Sequence, residues 1–199
     1  MNAKPLVIVL HGPSGVGKDT VIAELRRRTG IQRATSSTSR KPRAGECDAI
    51  DYHFLTEAEF ERKIAAGDFA EWAWVYGDLK GLERSEIETP LLEGSDVIIR
   101  TDVQGARTWR ERLEGAIFVC LVAEDSDALR QRLEARGSED DASLRRRLAE
   151  QEKELRDLHE NDYVVTNEQG RLGETVAGIE SIIEKERHNP SRPSPRLKV

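Results

Sequence analysis

Three glycines and a lysine near the start of the chain have the types and spacing to bind phosphate. Residues 7–20 read VIVLHGPSGVGKDT, with Gly12, Gly15 and Gly17 placed ahead of Lys18. Glycines let the backbone turn tightly and bring its N–H groups close to an anion, and the lysine reaches the terminal phosphates. We therefore interpret this segment as a phosphate-binding loop (the P-loop, 12–18), with Lys18 as a candidate catalytic residue. The candidate phosphate-binding residues here are Gly12, Pro13, Ser14, Gly15, Val16, Gly17, Lys18, Asp19 and Thr20.

Asp19 is the position at which this loop departs from the usual pattern. The motif G-x-x-x-x-G-K-[ST] ends on a hydroxyl that ligates magnesium, and this chain has a carboxylate there instead. Carboxylate oxygens suit a hard cation such as Mg²⁺. Asp19 is therefore a candidate magnesium ligand, either directly or through a water molecule.

Strand-like and helix-like segments alternate along the chain and must position this loop. Apolar runs at 7–10, 96–101 and 116–122 predict buried strands and residues 163–166 predict a last strand, each followed by a segment with helical spacing. This alternation predicts an α/β fold, with a parallel sheet flanked by helices on both faces. Residues 35–95 break the rhythm and predict a small α+β insertion between core segments 1–34 and 96–187, and the Pro- and Ser-rich residues 188–199 predict a disordered tail.

Composition limits the classes of function. The 199 residues carry a net charge of −6, which gives no general attraction to nucleic acid. The two cysteines are too few for a disulfide framework, and none of the four histidines falls into metal-ligand spacing, so we expect no zinc site. No apolar run approaches the ~18 residues that span a bilayer, and we see no signal peptide. We expect a cytoplasmic protein that binds neither membrane nor nucleic acid.

A second basic cluster follows the first strand–helix unit. Arg40 and Arg43 lie in a polar segment punctuated by proline and glycine, with Tyr52 a few residues further on. Guanidinium groups match phosphate oxygens in a bidentate manner, and a phenol adds one more donor. In isolation these arginines would be read as solvated loop residues. Beside a P-loop, we interpret them as a phosphoryl acceptor site.

Residues 38–55, TSRKPRAGECDAIDYHFL, resemble the signature of guanylate kinases, with Ala49 where the signature usually has glycine. The resemblance continues from the P-loop to the last strand and implies a P-loop NTPase-type fold that phosphorylates GMP, and also dGMP, with ATP. It implies that Arg40, Arg43 and Tyr52 bind the GMP phosphate, and that Ser36 and Glu71 contact the base. A carboxylate accepts both N1–H and N2–H of guanine, whereas adenine presents an acceptor at N1.

Three further positions depart from the family pattern near the proposed path of transfer. Lys80 stands where the family has a tyrosine that touches the acceptor phosphate, and Leu82 replaces a hydroxyl residue that helps to read guanine. Arg100 replaces the first aspartate of a pair whose second member, Asp102, is kept near the acceptor nucleoside. From the residues alone, Arg100 could either neutralise phosphate charge or pair with Asp19.

The remaining implied residues belong to a mobile lid at about 136–147 and to the end of the sheet. Arg136 and Arg147 match the family's lid arginines, which close over the transferring phosphoryl group, and we assign the neighbouring Arg145 and Arg146 to an ordinary salt-bridged helix. Asn167 matches an asparagine near the adenine of ATP.

The resemblance predicts an ATP-dependent guanylate kinase that needs Mg²⁺ and is a monomer or a homodimer. Two alternatives stay open at this point. One is a ribose 1,5-bisphosphate kinase, because such enzymes also carry Gly-Lys-Asp at the P-loop. The other is a non-catalytic guanylate-kinase-like module that binds a peptide. The sequence leaves open the strictness of guanine selectivity, the oligomeric state, the regulation and the role of the tail.

Overall fold

A five-stranded parallel sheet lies at the centre of the fold. The structure is a computed structural model that describes residues 4–75, 77–125 and 161–198. The strands of this sheet are β1 (Val7–His11), β2 (Gln32–Arg33), β7 (Val97–Arg100), β9 (Ile117–Val122) and β10 (Tyr163–Thr166). Their spatial order is β10-β9-β1-β7-β2, and every neighbouring pair is parallel. The predicted α/β fold class is confirmed.

Helices cover both faces of this sheet. Those of the described residues are α1 (Lys18–Thr29), α2 (Glu57–Ala66), α3 (Ser85–Leu92), α4 (Val103–Arg112) and α5 (Leu172–Arg187). Alternate residues of β1 point to opposite faces, as a strand's period of two requires. Ile8 and Leu10 join a core with α1 and α5, whereas Val7 and Val9 join a core with α3 and α4.

A separate small sheet is formed by residues that break the strand–helix rhythm. Its strands are β3 (Ser37–Thr38), β4 (His53–Phe54), β5 (Phe69–Val75) and β6 (Asp78–Glu83), in the order β4-β3-β6-β5. It is mixed, because β3 pairs parallel with β4 and antiparallel with β6. The chain thus passes from the parallel sheet at β2 to the small sheet at β3 within a few residues. The exact limits of the insertion, 35–95, stay a prediction.

Helix α2 begins and ends where its sequence predicts. The side chain of Thr56 accepts from the backbone N–H of Glu59, and the Glu59 side chain accepts in return from Thr56, which completes a capping box. The helix ends at Gly67, which has a left-handed φ of 76°. Phe60 stacks on Phe69 of β5 with ring centroids 4.3 Å apart, so the helix is fixed against the small sheet.

The prediction of a disordered tail is wrong for residues 188–198. A two-residue strand, β11 (Arg196–Leu197), pairs antiparallel with β8 (Leu113–Glu114). Arg192 Nε donates to the buried carboxylate of Glu186 at 2.5 Å, and Arg196 Nε donates to Glu114 at 2.6 Å. A local ion pair, a long-range ion pair and a strand pairing thus order a segment whose composition alone is typical of disorder.

The predicted lid at 136–147, with its helices on either side, lies outside the described residues. Within the parts of the chain that are described, no helix is long and apolar enough to cross a membrane.

Candidate phosphate-transfer site

The P-loop connects the carboxyl end of β1 to the start of α1. Gly12 has a φ of 140°, and a Cβ there would lie 2.1 Å from the carbonyl oxygen of Leu121. Gly17, the residue before α1, has a φ of 95°. Both positions thus require glycine, because left-handed backbone and close approach exclude larger residues. Since α1 starts at Lys18, its free N–H groups point into the loop.

Lys18 is buried and folded back over the loop. Its Nζ donates to the carbonyl oxygens of Gly12 at 2.6 Å and Pro13 at 2.8 Å. Carbonyl oxygens of the loop thus hold the ammonium at the place where terminal phosphates would bind. The backbone of the loop therefore fixes the position of the Lys18 ammonium, and binding of phosphate there stays a prediction.

Asn167 fixes the loop from the neighbouring part of the sheet. Its Nδ2 donates to the carbonyl oxygen of Val16 at 2.8 Å, and its Oδ1 accepts from the hydroxyl of Thr175 at 3.0 Å. A Cβ on Gly17 would lie 2.6 Å from the same Nδ2. This support of the loop was not foreseen from the sequence, and the predicted contact of Asn167 with adenine stays a prediction.

A cavity of about 240 Å³ opens between the P-loop and the carboxyl end of β7. Its described lining residues are Ser14, Gly15, Gly17, Lys18, Asp19, Arg100, Thr101 and Asp102. Asp102 caps α4, because its Oδ1 accepts from the backbone N–H of Gly105 at 2.7 Å. The β1 and β7 strands are neighbours, with Leu10 opposite Arg100, so their carboxyl ends bring the two cavity walls together. A ligand between parallel strand ends is typical of open α/β sheets.

Asp19 forms ion pairs with arginines from two strands. Its Oδ1 lies 2.8 Å from Nε of Arg100 and 3.8 Å from a terminal nitrogen of Arg33. Of the two roles left open for Arg100, the pairing with Asp19 is the one present. Arg33, on β2, was not foreseen as a partner of Asp19, because no local pattern relates the two residues.

His11 ends β1 immediately before the P-loop and is almost fully buried. Burial lowers the pKa of its imidazole to about 4, although a hydrogen bond from Nε2 to Asn161, at 2.6 Å, opposes that effect. Asn161 Oδ1 also accepts from Arg110 at 3.0 Å, so Nε2 must be the protonated nitrogen of a neutral ring. The other nitrogen, Nδ1, has no hydrogen-bond partner among the described residues. His11 therefore adds no positive charge to the site near neutral pH.

On the acceptor side, Arg40 is held by a carboxylate that the sequence did not single out. Both terminal nitrogens of Arg40 donate to Glu46, each at 2.7 Å. The guanidinium also lies over the ring of Tyr52, 5.1 Å from its centroid. Glu46 accepts in addition from the backbone N–H of Arg43 at 2.7 Å, and these bonds lower the pKa of Glu46 to about 2. Glu46 thus joins the guanidinium of Arg40 to the backbone of Arg43, and Tyr52 lies against the same guanidinium.

Glu71 lies on β5 and is half-buried. Burial raises the pKa of its carboxyl above the ordinary value, with the positive charge of Arg112 opposing and the negative charge of Asp102 adding to the shift. Because Asp102 precedes α4 and Arg112 ends it, these effects indicate that the Glu71 carboxylate of the small sheet lies near α4 of the core. A guanidinium nitrogen of Arg112 also donates to the carbonyl of Ala70, the residue before Glu71.

The other predicted acceptor residues are placed differently. Ser36 and Lys80 are half-buried on the small sheet or next to it. Leu82 is only 2% exposed and packs in the core with Ile87 and Ile99, so it serves as a core residue. Among the described residues that line the cavity, none is Ser36, Arg40, Arg43, Tyr52 or Glu71.

The predicted lid arginines, Arg136 and Arg147, lie outside the described residues. Residues 4–75, 77–125 and 161–198 contain no group of three or more His, Cys, Asp or Glu side chains that could hold a metal ion by itself. Magnesium typically keeps several waters and binds through one or two carboxylates together with substrate phosphates. Asp19, which faces the cavity, fits that kind of partial site.

Comparison with known protein families gives one consistent result. The family model described as guanylate kinase matches residues 3–186. The chain is 42% identical over 186 residues to guanylate kinase 2, chloroplastic/mitochondrial, of Oryza sativa, covering 92% of this chain and 65% of that longer protein. It is 43% identical over 185 residues to the guanylate kinase of Symbiobacterium thermophilum, covering 92% of this chain and 87% of that protein.

Solved structures agree with the sequence comparisons. The crystal structure of guanylate kinase from Anaplasma phagocytophilum superimposes with a TM-score of 0.74 at 26% identity, covering 96% of this chain and 90% of that one. Shikimate kinase from Bacteroides thetaiotaomicron superimposes with a TM-score of 0.51 at 18% identity, covering 90% of this chain and 98% of that one. The second similarity shows the shared fold alone.

Proposed function

The chain belongs to the guanylate kinase family, and from that premise we propose how this molecule phosphorylates GMP to GDP. The family uses ATP as the phosphoryl donor. The observation that carries our assignment of sites is the cavity of about 240 Å³, whose walls are the P-loop on one side and Arg100 to Asp102 on the other. A donor phosphate chain lies on the first wall, and the acceptor approaches from the second.

ATP binds with its phosphate chain along the P-loop. Backbone N–H groups from Gly12 to Gly17 and the start of α1 surround the phosphates, and Lys18 contacts the terminal ones. Thr20 and Asn167 are the remaining residues of the proposed ATP site. Asn167 holds the carbonyl of Val16, and in this proposal it also lies near the adenine. Lys18 already has its ammonium fixed by two carbonyls, so little reorganisation accompanies the reaction.

Magnesium binds together with ATP. We propose that Asp19 supplies a carboxylate oxygen to the ion or to one of its waters, in the position where the usual motif has a hydroxyl. When bound, the ion would neutralise negative charge on the terminal phosphates of ATP. Since Oδ1 of Asp19 contacts Arg100 and Arg33, Oδ2 is the oxygen that would be available to hold the ion or its water.

GMP binds between the small sheet and the core. Arg40, Arg43 and Tyr52 hold its phosphate, with Lys80 adding positive charge. Glu71 and Ser36 hold the guanine base, and Asp102 lies near the nucleoside. Support for this arrangement comes from the shared contact of Arg40 and the backbone of Arg43 with Glu46, which gathers the phosphate ligands.

Transfer proceeds in line from ATP to an oxygen of the GMP phosphate. The acceptor oxygen is already anionic, so no general base is needed, and catalysis consists of positioning and stabilisation of charge. Lys18 and the lid arginines, Arg136 and Arg147, supply that charge. Closure of the lid excludes water, which would otherwise accept the phosphoryl group.

A coupled assay with several acceptors tests the proposal. Purified protein is offered GMP, dGMP, AMP or ribose 1,5-bisphosphate with ATP and Mg²⁺, and formation of ADP is followed. We expect turnover of GMP and dGMP and far slower turnover of AMP. Turnover of ribose 1,5-bisphosphate without turnover of GMP would contradict the proposal and identify the sugar bisphosphate as the substrate.

We also propose that the protein acts in the cytoplasm as a monomer or a homodimer. Sedimentation velocity measures the mass in solution, and a species larger than a dimer would contradict the proposal. Fractionation of the source cells locates the protein, and recovery outside the cytoplasmic fraction would contradict the proposed location.

A further inference from the structure

Three charged side chains from different elements meet at the mouth of the P-loop cavity. Asp19 comes from the first turn of α1, Arg33 from β2 and Arg100 from the end of β7. Both arginine contacts fall on Oδ1 of Asp19, at 2.8 Å from Arg100 and 3.8 Å from Arg33. Two guanidinium groups and one carboxylate leave this cluster with one net positive charge. A net positive cluster beside a P-loop favours binding of an anion.

Arg100 is the member of the cluster that lies in the wall of the cavity. A guanidinium carries five N–H donors, and the described ion pair is made through Nε. The contact with Asp19 therefore holds the guanidinium of Arg100 through Nε. The N–H groups on its two terminal nitrogens could donate to a ligand. Those donors suit the oxygens of a phosphoryl group, with which guanidinium groups form bidentate hydrogen bonds.

The position of Arg100 lies between the two proposed nucleotide sites. Its strand neighbours β1, which carries the donor loop, and Arg100 lies opposite Leu10 in that pairing. Two residues later comes Asp102, whose charge acts on Glu71 of the acceptor side. A side chain at this point can therefore contact the phosphate chain where donor and acceptor meet.

We propose that Arg100 contacts the phosphoryl group in transit between the nucleotides and that Asp19 is the positioning residue that holds it there. This inference rests on the proposed function, because it takes ATP and GMP as the ligands of the two sides. It assigns Asp19 two tasks on two oxygens, with Oδ1 holding Arg100 and Oδ2 facing magnesium. It also gives a reason for two departures from the usual residues, at 19 and 100, to occur together.

A simpler role for Arg100 makes a different prediction. If Arg100 served only as a counter-ion, its removal would weaken phosphate binding by leaving the charge of Asp19 unneutralised. Removing that charge as well, in the double variant D19N/R100Q, would then restore binding. If Arg100 contacts phosphate, the double variant lacks the contact and binding stays weak. The side chains of Arg100 and Asp19 are 38% and 56% exposed, so these substitutions leave the core intact.

The experiment measures binding of a bisubstrate analogue, adenosine joined to guanosine through five phosphates, by calorimetry in EDTA. Without metal, the analogue binds only through direct contacts with the protein, so a loss in R100Q cannot come from a change in metal binding. The variants are R100Q, D19N/R100Q and, as a matched control, R27Q, which removes an exposed arginine that pairs with Glu24. Turnover of GMP by the unaltered protein is measured first, so failure of the proposed function is seen separately.

We expect R100Q and D19N/R100Q each to weaken binding about 10- to 100-fold, the range for a lost hydrogen bond to a charged group. R27Q should bind as the unaltered protein does. In steady state, R100Q should lower kcat while the KM for GMP changes little. Binding by R100Q equal to that of the unaltered protein, or recovery of binding in D19N/R100Q, would overturn the proposal.

Discussion

The side-chain amide of Asn167 donates to the carbonyl of Val16 at 2.8 Å, across 151 positions of sequence. Asn167 directly follows β10, an edge strand of the parallel sheet, and Val16 belongs to the P-loop. Since Thr175 of α5 in turn donates to Asn167, the loop is held by a strand end and a helix that come last in the core. The phosphate-binding loop is thus fixed by residues far from it in sequence.

Asn167→Ala should therefore damage both stability and ATP use. It removes two buried hydrogen bonds and leaves the Val16 carbonyl without its amide donor, which costs about 1–3 kcal/mol of the free energy of unfolding. Urea unfolding measures that loss, and initial rates should show a raised KM for ATP. Asn189→Ala is the control, because it removes a comparable bond to Glu186 away from the loop and should leave that KM unchanged. An unchanged KM in Asn167→Ala would contradict the role of Asn167 in holding the loop.

Glu46 accepts from both terminal nitrogens of Arg40, the same donors that we propose bind the GMP phosphate. Glu46→Gln removes both this competition and a negative charge beside the phosphate, so the KM for GMP should fall about two- to fivefold, as expected for an exposed ion pair. Because exposed charges are screened, the effect should shrink at high salt. A rise in KM for GMP would indicate instead that Glu46 is needed to orient Arg40.

Ala49 has a left-handed φ of 60°, in the turn that leads to Tyr52. A residue with a Cβ is strained in that region, and glycine is not, so Ala49→Gly should raise the free energy of unfolding by about 0.5–1 kcal/mol. Ala177→Gly gives a control of opposite sign, because Ala177 is exposed within α5 and the substitution should lower stability by about 1 kcal/mol. Destabilisation by Ala49→Gly would show that the turn carries no strain.

The pH dependence of GMP use should report the raised pKa of Glu71. In the proposed assignment the ionised carboxylate accepts from guanine, so kcat/KM for GMP should fall as Glu71 becomes protonated with falling pH. Because burial raises the pKa of Glu71, that fall should be centred above 4.5, the ordinary value for glutamate. The phosphate of GMP also titrates, near pH 6. The ratio of kcat/KM between the unaltered protein and Glu71→Gln cancels the phosphate titration, and a midpoint at or below 4.5 would contradict the shift.

Local signals in the sequence predicted much of the fold. Four apolar runs became the strands β1, β7, β9 and β10. The first three are largely buried, because continuous apolar residues fit a sheet covered on both faces, whereas β10 lies at the edge of the sheet and is partly exposed. The end of α1 at Gly30 followed from the backbone freedom of glycine. The P-loop could be identified because its glycines and Lys18 act within a few residues of one another.

Contacts between residues that are far apart in sequence could not be predicted from such local signals. The tail was predicted to be disordered from composition, yet Arg192 and Arg196 pair with Glu186 and Glu114, and a Cβ on Gly115 would lie 2.4 Å from the carbonyl oxygen of Pro193. The choice between two roles for Arg100 depended on which strands are neighbours, which no local pattern states. Nothing in the local sequence distinguishes Glu46 from the other charged residues of its polar loop. Its role depends on the two hydrogen bonds that it accepts from Arg40.

The central claim is that one chain joins a donor site on the P-loop to a guanine-reading acceptor site at Glu71. Its most direct test is formation of GDP from ATP and GMP, measured by separating the nucleotides, in the unaltered protein and in Glu71→Gln. The account predicts GDP formation by the unaltered protein, and in Glu71→Gln a loss of about 100-fold or more in kcat/KM for GMP with the KM for ATP unchanged. No GDP from the unaltered protein, or an equal loss for both substrates, would contradict it.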